Sequence, residues 1–210
     1  MSASSQVSPG SAETSSPALP LMFERGPFDS GREVWLGAIA TDDRAGLDRQ
    51  LGVILSEMKG RGARIIGLLQ TVLDDSDCDC SKLAVRDLAS DELIPITQFL
   101  GHESHSCRLD TRRLAEVSGL LEKQIEPGVE LLLINRFGKV EAEGHGLRDL
   151  ICQAIELGIP TLVTVQTSHL DAWASFESGL AQYLPPEPEV VRAWCEAAVK
   201  ATVERKAIRV

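Results

Sequence analysis

The sequence has few of the features that mark membrane, secreted and nucleic-acid-binding proteins. None of its apolar runs approaches the ~20 residues of a membrane span, and its N-terminus lacks the basic start and apolar stretch of a secretory signal. Only 21 Lys and Arg face 31 Asp and Glu, for a formal net charge of −10, which excludes a general phosphate-binding surface. We therefore predict a cytoplasmic protein that neither inserts into a membrane nor binds nucleic acid.

Aromatic residues are also scarce, at 4% of the 210 residues, whereas 43% are hydrophobic and 25% are charged. This composition is typical of globular proteins. A chain of this length buries roughly 70% of its unfolded surface, so it needs neither a disulfide nor a metal merely to fold. Its five cysteines, an odd count without an export signal, are expected to be reduced core, ligand or redox residues.

The chain divides into a tail and one α/β domain. Residues 1–20 contain seven Ser and three Pro without a hydrophobic period, so we predict that 1–31 form a disordered tail. The single domain then comprises 32–210 and closes with a C-terminal helix in 185–210. Apolar runs and helical periodicity alternate within it, which predicts a three-layer α/β/α sandwich with a mainly parallel sheet. The apolar run "VELLLIN" at 129–135 is its most convincing central strand.

Residues 71–109 interrupt this alternation. The segment begins with an acidic stretch and carries three of the cysteines and two of the four histidines. Its runs "KLAVRDL" and "LIPITQF", separated by "ASDE", predict a β-hairpin. We interpret the whole segment as an excursion from the α/β core.

The loop after the central strand, "RFGKVEAEGHG", is the first candidate site, since open parallel sheets bind ligands beyond the carboxyl ends of their strands. It combines permissive glycines with cations near a helix N-terminus, a combination that suits an anion. A solvated loop with internally paired charges is the alternative. The predicted ligand-binding residues are Asn135, Arg136, Gly138, Lys139, Glu141, Gly144, Gly146 and Arg148.

The loop after the first strand lacks the elements of a phosphate-binding P-loop. It is "GAIATDDRAG", in which two glycines remain but the lysine and the magnesium-binding hydroxyl of G-x-x-x-x-G-K-[ST] are missing. Carboxylates stand where a phosphate needs neutral or basic neighbours, so standard hydrolysis of nucleoside triphosphates is not expected. If the protein is an enzyme, its candidate metal or acid–base groups are Asp42, Asp43, Glu141 and Glu143.

The cysteines and histidines of the excursion offer a zinc-type set, although C-x-C replaces the paired C-x-x-C of established zinc motifs. Small apolar thiols and surface histidines are the alternative. Three arginines that begin at Arg108 follow Cys107 and favour a thiolate or an oxyanion, which makes Arg108 a further candidate anion contact. The candidate metal or redox ligands are Cys80 and Cys107, together with Cys78 and His102. Two cysteines in helical patterns, Cys152 and Cys195, are expected to be packing residues.

The stretch "INRFGKVEAEGHGLRDLI" resembles the signature of an uncharacterised bacterial domain family, often encoded beside molybdate-transport genes. Family members typically have N-K-F-G-K-x-E-A-x-G-x-G-L-R, so this chain departs mainly by Arg136 in place of a lysine. The resemblance continues in "CSKLAVRDLASDELIPITQ" and "SCRLD" and covers approximately residues 34–184.

That family is similar in turn to P-loop nucleoside triphosphatases of the thermophile type, which carry an acidic pair at the end of the Walker B strand and then G-K-x-E. Gly138, Lys139 and Glu141 match the second element. Asn135 and Arg136 replace the acidic pair that would hold magnesium and activate water. The resemblance implies a degenerate P-loop fold that has lost hydrolysis and kept ligand binding.

Three functional hypotheses follow. The first is a cytoplasmic accessory protein that binds an oxyanion or a phosphate-bearing ligand, molybdate or a nucleotide-like cofactor, through Arg136, Lys139 and Arg148. The second is a nucleotide hydrolase or phosphotransferase, and the third a cysteine-based metal- or redox-responsive module with zinc or iron. The molybdenum link comes from gene neighbourhood in the family alone. A homodimer is a further expectation.

Overall fold

Strands and helices alternate along most of the chain. The computed structural model describes residues 26–27, 33–73, 82–98, 108–109 and 111–208. The strands are β1 (Gly26–Pro27), β2 (Glu33–Val34), β3 (Leu36–Ala40), β4 (Ile65–Leu73), β5 (Lys82–Asp87), β6 (Leu93–Pro95), β7 (Thr97–Gln98), β8 (Arg108–Leu109), β9 (Leu131–Phe137), β10 (Thr161–Val165) and β11 (Gln182–Tyr183).

Along the chain, most helices connect one strand of the central sheet to the next. They are α1 (Arg44–Gly60), α2 (Thr111–Gln124), α3 (Lys139–Ala142), α4 (Arg148–Leu157), α5 (Leu170–Glu177) and α6 (Pro188–Ile208). A 3-10 turn, Thr167–His169, precedes α5. Within the described ranges, no helix has both the length and the apolar character to cross a membrane.

The central sheet has seven strands in the order β11-β3-β10-β9-β4-β5-β6. Its first five strands are parallel, whereas β5 and β6 are antiparallel to their neighbours. β1 pairs with β2, and β7 with β8, outside this sheet. The mainly parallel sheet expected from the alternation of strands and helices is confirmed.

Two hydrophobic cores cover the two faces of this sheet. In β9, Leu132 and Ile134 pack in one core with residues of α2, α4 and α5, such as Trp173. Leu131 and Leu133 point to the other core, which α1 and α6 close. Because successive side chains of a strand alternate between faces, an uninterrupted apolar run requires helices on both sides. The three-layer α/β/α architecture follows.

Cations in the last turn of α6 fix the helix to the far end of the sheet. The Arg205 guanidinium donates to the Gly158 carbonyl at 2.8 Å. The Lys206 ammonium donates to the Gly128 carbonyl at 2.9 Å and lies 3.0 Å from a Glu130 carboxylate oxygen. These contacts lie at the amino ends of the strands, opposite the edge where a ligand is expected.

The predicted hairpin is confirmed, and it extends the central sheet. β5 pairs along β4 from Leu68↔Asp87 to Leu73↔Lys82, and β6 pairs with β5. The buried Asp87 carboxylate holds the hairpin turn, because it accepts hydrogen bonds from the Ala89 N–H, the Ser90 hydroxyl and the Gln124 amide. The excursion therefore contributes two strands to the α/β core instead of lying apart from it.

Two other segments differ from the sequence-based expectation. Periodicity predicts one helix over 170–183, but α5 ends at Glu177 because Ser178 adopts a left-handed φ of 52°, and the chain returns as β11. Within the predicted tail, 1–31, the structure describes Gly26–Pro27 alone, paired with Glu33–Val34. Disorder of the remaining tail stays a prediction.

Gly67 provides a test of the packing between β4 and β9. Its φ is +136°, and a Cβ there would lie 2.2 Å from the Leu133 carbonyl oxygen. We expect Gly67→Ala to lower the free energy of unfolding by about 3 kcal/mol or more, because backbone strain and overpacking add. The measurement is urea denaturation.

Gly119→Ala is the matched control for this substitution. Gly119 lies in α2, and a Cβ added there would meet no heavy atom of another described element within 4 Å. Alanine should therefore raise stability by roughly 0.5–1 kcal/mol. Equal effects of the two substitutions would contradict the close approach of β4 to β9.

Candidate functional site

The carboxyl ends of the parallel strands form one edge of the central sheet. β3, β10, β9 and β4 run in the same direction, so the connections that follow them lie side by side. Ligands of open parallel sheets bind at this edge. The candidate site is therefore built from the last residues of these strands and from the start of α1.

The connection from β3 to α1 contains only residues 41–43. Asp43 caps the helix, since its Oδ1 accepts a hydrogen bond from the Gly46 N–H at 3.0 Å. The Asp42 carboxylate accepts one from the Thr167 hydroxyl, beyond β10. Both predicted carboxylates thus have partners within the protein. A connection of this length and charge does not cradle a triphosphate as a P-loop does.

Asn135 lies near the end of β9, and its buried amide joins four elements. The Oδ1 atom accepts a hydrogen bond from the Gln70 N–H of β4 at 3.0 Å. The Nδ2 atom donates to the Asp48 carboxylate of α1 at 2.8 Å and to the Thr164 hydroxyl of β10 at 3.1 Å. One side chain therefore fixes α1 to the ends of three neighbouring strands.

Arg136 follows at an irregularity of the sheet. Thr164 lies opposite Asn135, whereas Val165 lies opposite Phe137, so the register shifts by one residue. Arg136 is thus the extra residue of a β-bulge, a feature that redirects a side chain and is frequent beside functional sites. The Asn135–Arg136 peptide bond is cis.

Arg136 and Asp48 form a half-buried ion pair at this edge. The Arg136 Nη2 atom is 3.2 Å from Oδ2 and 3.4 Å from Oδ1 of Asp48, and the side chains are only 11% and 15% exposed. Burial raises the pKa of the Asp48 carboxyl despite the opposing hydrogen bond from Asn135 and the charge of Arg136. Burial also lowers the pKa of Arg136, which the Asp48 charge opposes. The two charges have therefore lost part of their hydration.

Sequence reasoning missed Asp48, although a signal exists. Asp48 precedes the buried Leu51 and Leu55 of α1 by three and seven residues, which places it on the apolar stripe of the helix. A carboxylate on such a stripe requires a polar or charged partner. The helix alone does not indicate that this partner is Arg136, 88 residues along the chain.

A second carboxylate organises the glycine-rich loop after β9. The buried Glu141 accepts hydrogen bonds from the Gly138 N–H at 3.0 Å and from the Leu147 N–H at 3.3 Å. At Gly146, φ is +67° and a Cβ would lie 2.2 Å from Oε1 of Glu141. Glycine is required there because the backbone passes against the carboxylate. Both carboxylate oxygens serve the conformation of the loop.

Two predicted cations of this loop have different surroundings. Arg148 donates to the Glu141 carbonyl at 3.2 Å, and its guanidinium lies 4.3 Å above the Phe176 ring, a cation–π contact. Lys139 is 79% exposed and lies 3.7 Å from the carboxylate of Glu143, which is itself exposed. Arg148 therefore supports the loop, whereas Lys139 remains accessible to a ligand.

The structure thus separates the predicted residues into groups. Two of them, Asn135 and Arg136, meet at the strand ends together with Asp48. Those with contacts or backbone angles that shape the loop are Gly138, Glu141, Gly144, Gly146 and Arg148. Arg108 lies in β8, and its side chain is outside the described residues.

The cysteine hypothesis falls largely outside the described ranges, which do not include Cys78, Cys80, His102 or Cys107. Among the residues that the structure does describe, there is no group of three or more His, Cys, Asp and Glu able to hold a metal. Cys195 is buried as expected, and burial raises its pKa to about 12. Cys152, predicted to be a packing residue, is instead exposed on α4.

Comparison with known proteins agrees with this architecture. The family described as protein of unknown function (DUF2478) matches residues 36–194, from β3 to the first two turns of α6. The chain belongs to this family. Its expected family membership is confirmed, and its fold is similar to that of a nucleoside triphosphatase.

Two relatives illustrate the similarity of this DUF2478 chain. The molybdenum import ATP-binding protein ModC 2 of Bradyrhizobium diazoefficiens is 35% identical over 184 residues, which are 87% of this chain but only 20% of that protein. A solved human cancer-related nucleoside triphosphatase superposes with a TM-score of 0.57 at 12% identity, covering 79% of this chain and 96% of the other. At 12% identity, the similarity to the human protein shows the fold alone.

The role of Glu141 in the loop is testable. Glu141→Gln places an amide NH₂ group against one of two backbone N–H donors, so one buried donor loses its acceptor. We expect the free energy of unfolding to fall by about 1–3 kcal/mol. We also expect faster hydrogen exchange in residues 138–147. Urea denaturation and amide exchange measure the two effects.

Glu143→Gln is the control, because Glu143 is exposed and its substitution should change stability by no more than about 0.5 kcal/mol. If the Glu141 and Glu143 variants were equally stable, the buried carboxylate would not be holding the loop.

Proposed function

We propose that this protein binds an oxyanion or a phosphate-bearing ligand at the carboxyl ends of β3, β9 and β10, as an accessory protein without nucleoside triphosphate hydrolysis. The observation that carries the proposal is Arg136, a half-buried arginine on a β-bulge at the end of the central strand. A guanidinium offers several N–H donors in a fixed fork that fits oxyanions. Partial burial strengthens such an interaction.

Lys139 is the second proposed anion contact. It is two residues beyond the end of β9 and its ammonium is largely exposed, with an ion pair of 3.7 Å to Glu143. A weak surface pair of this kind costs little to exchange for a ligand. Arg148 is assigned to the loop instead, because its guanidinium already contacts Glu141 and Phe176.

The same geometry supports the absence of hydrolysis in this proposal. The three-residue connection before α1 carries two carboxylates with protein partners. Glu141, a candidate acid–base group, accepts two backbone hydrogen bonds and lies buried. A general base needs an oxygen free to reach water or substrate. The hydrolase alternative therefore finds no support at these residues.

A link to molybdenum is the finer part of the proposal. The sequence relative in Bradyrhizobium is a molybdenum import ATP-binding protein, of which this chain matches a fifth. Molybdate is a tetrahedral oxyanion of the class that Arg136 suits. Molybdate is therefore the first ligand to test, and a nucleotide-like cofactor is the second. The cytoplasmic location and the homodimer stay predictions from the sequence.

The test removes the ion pair of the site as a unit. The double substitution Asp48→Asn with Arg136→Gln replaces both charged groups with neutral amides and leaves no unpaired charge behind. We expect at least a tenfold loss of affinity for molybdate, phosphate or ADP, since charge-assisted hydrogen bonds contribute about 1.5–3 kcal/mol each. Isothermal titration calorimetry measures affinity, and thermal unfolding confirms that the variant is folded.

A second ion pair of α1 supplies the control. Arg192 of α6 pairs with Glu57 at the other end of α1, so Glu57→Gln with Arg192→Gln removes a more exposed pair between the same residue types far from the strand ends. Its affinity should equal that of the unmodified protein. If no ligand bound the unmodified protein, or if the Asp48/Arg136 variant bound equally well, the proposal would fail.

A further inference from the structure

Any anion that binds Arg136 must approach a carboxylate that is already there. Both Asp48 oxygens lie within 3.4 Å of the Arg136 Nη2 atom. An anion that donates no hydrogen to Asp48 would therefore meet a like charge at short distance. Such repulsion is strong where burial has removed water.

Asp48 is also held in place. The Nδ2 atom of Asn135 donates to it at 2.8 Å, and Asn135 is buried and fixed by the Gln70 N–H and the Thr164 hydroxyl. The carboxylate cannot rotate towards solvent without breaking this hydrogen bond and leaving a buried donor unpaired. The repulsion between Asp48 and a bound anion is therefore relieved by a proton on one of them, and not by movement of the Asp48 side chain.

We propose that an oxyanion at Arg136 binds together with one proton, which is held between Asp48 and the bound anion. This inference rests on the function proposed above and names the protonation state of the complex. With a fully ionised anion such as molybdate, the proton comes from water and Asp48 becomes the donor. With hydrogen phosphate, the hydroxyl of the ligand donates to an ionised Asp48, and no proton need be taken up. Only O–H bonds are made or broken.

The charges around Asp48 agree with this proton. The groups that act on it are the Arg136 charge from β9, the Arg44 charge from α1 and the amide of Asn135, and burial already raises its pKa against all three. A bound anion would neutralise much of the Arg136 charge. The carboxyl would then bind its proton more tightly, because the main stabilising charge is shared with the ligand.

The experiment measures proton uptake directly. The full chain is titrated with sodium molybdate at pH 6, 7 and 8, in pairs of buffers that differ in their enthalpy of ionisation, by isothermal titration calorimetry. We expect uptake of close to one proton, and an affinity that falls by up to about tenfold for each unit rise in pH. Inorganic phosphate at pH 8, where it is mainly hydrogen phosphate, should bind with little net uptake.

Asp48→Asn is the diagnostic variant, because asparagine keeps the size and hydrogen-bonding capacity of the side chain but cannot ionise. Molybdate should bind this variant with an affinity that changes less than twofold from pH 6 to pH 8. Glu57→Gln, which removes a carboxylate elsewhere on α1, should keep the pH dependence of the unmodified protein. Absence of proton uptake by the unmodified protein would overturn the shared proton even if the Asp48 variant does not fold.

The outcomes separate this inference from the proposed function. Molybdate binding that involves no proton uptake and is independent of pH would overturn the shared proton and leave the anion site standing. If none of molybdate, phosphate and ADP bound at any pH, both proposals would be overturned. Proton uptake that persists in Asp48→Asn would assign the proton to another group and overturn the role of Asp48.

Discussion

The buried amide of Asn135 is the interaction on which the candidate site depends. It satisfies a backbone N–H of β4, a hydroxyl of β10 and a carboxylate of α1 at once. In a sheet covered on both faces, a polar side chain must find all its partners within the protein. These partners fix the start of α1 against three strand ends, and the position of Asp48 in turn fixes Arg136. The geometry of the ion pair between Asp48 and Arg136 therefore depends on the packing of the core.

The loop after β9 is built around a second buried polar group. Glu141 accepts hydrogen bonds from two N–H groups, and Gly146 leaves the space that its carboxylate occupies. Arg148 also holds the loop, through its hydrogen bond to the Glu141 carbonyl. Several residues of the sequence signature thus serve to hold the loop in its conformation. Two other cations follow in the same stretch. Arg136 is half-buried and oriented by its ion pair, whereas Lys139 is exposed and able to exchange its partner.

Hydrophobic periodicity was sufficient to predict the layers of the fold, because alternation between strand and helix periods is a local property. The same local pattern predicts the strand of β9, and the ligand site at its end stays a prediction. Asp48 was missed since its partner is distant in sequence. Gly146 was predicted as a permissive glycine, but its contact with the Glu141 carboxylate was missed, since hydrogen bonds to backbone leave no periodic trace. The hairpin was predicted, but its place in the central sheet depends on its pairing with β4. The end of α5 depends on the left-handed conformation of Ser178, which serine does not signal.

The short turn between β3 and α1 differs from a P-loop in length as well as in sequence. Three residues bring the chain from the sheet edge directly into the helix, and Asp43 closes the first turn. A lysine introduced at this turn would have no surrounding backbone loop with which to enclose a phosphate chain. A P-loop at this position would take an insertion in addition to substitutions, in a turn where Asp42 already accepts a hydrogen bond from the Thr167 hydroxyl. The length of this turn, as well as its residues, therefore distinguishes it from a P-loop.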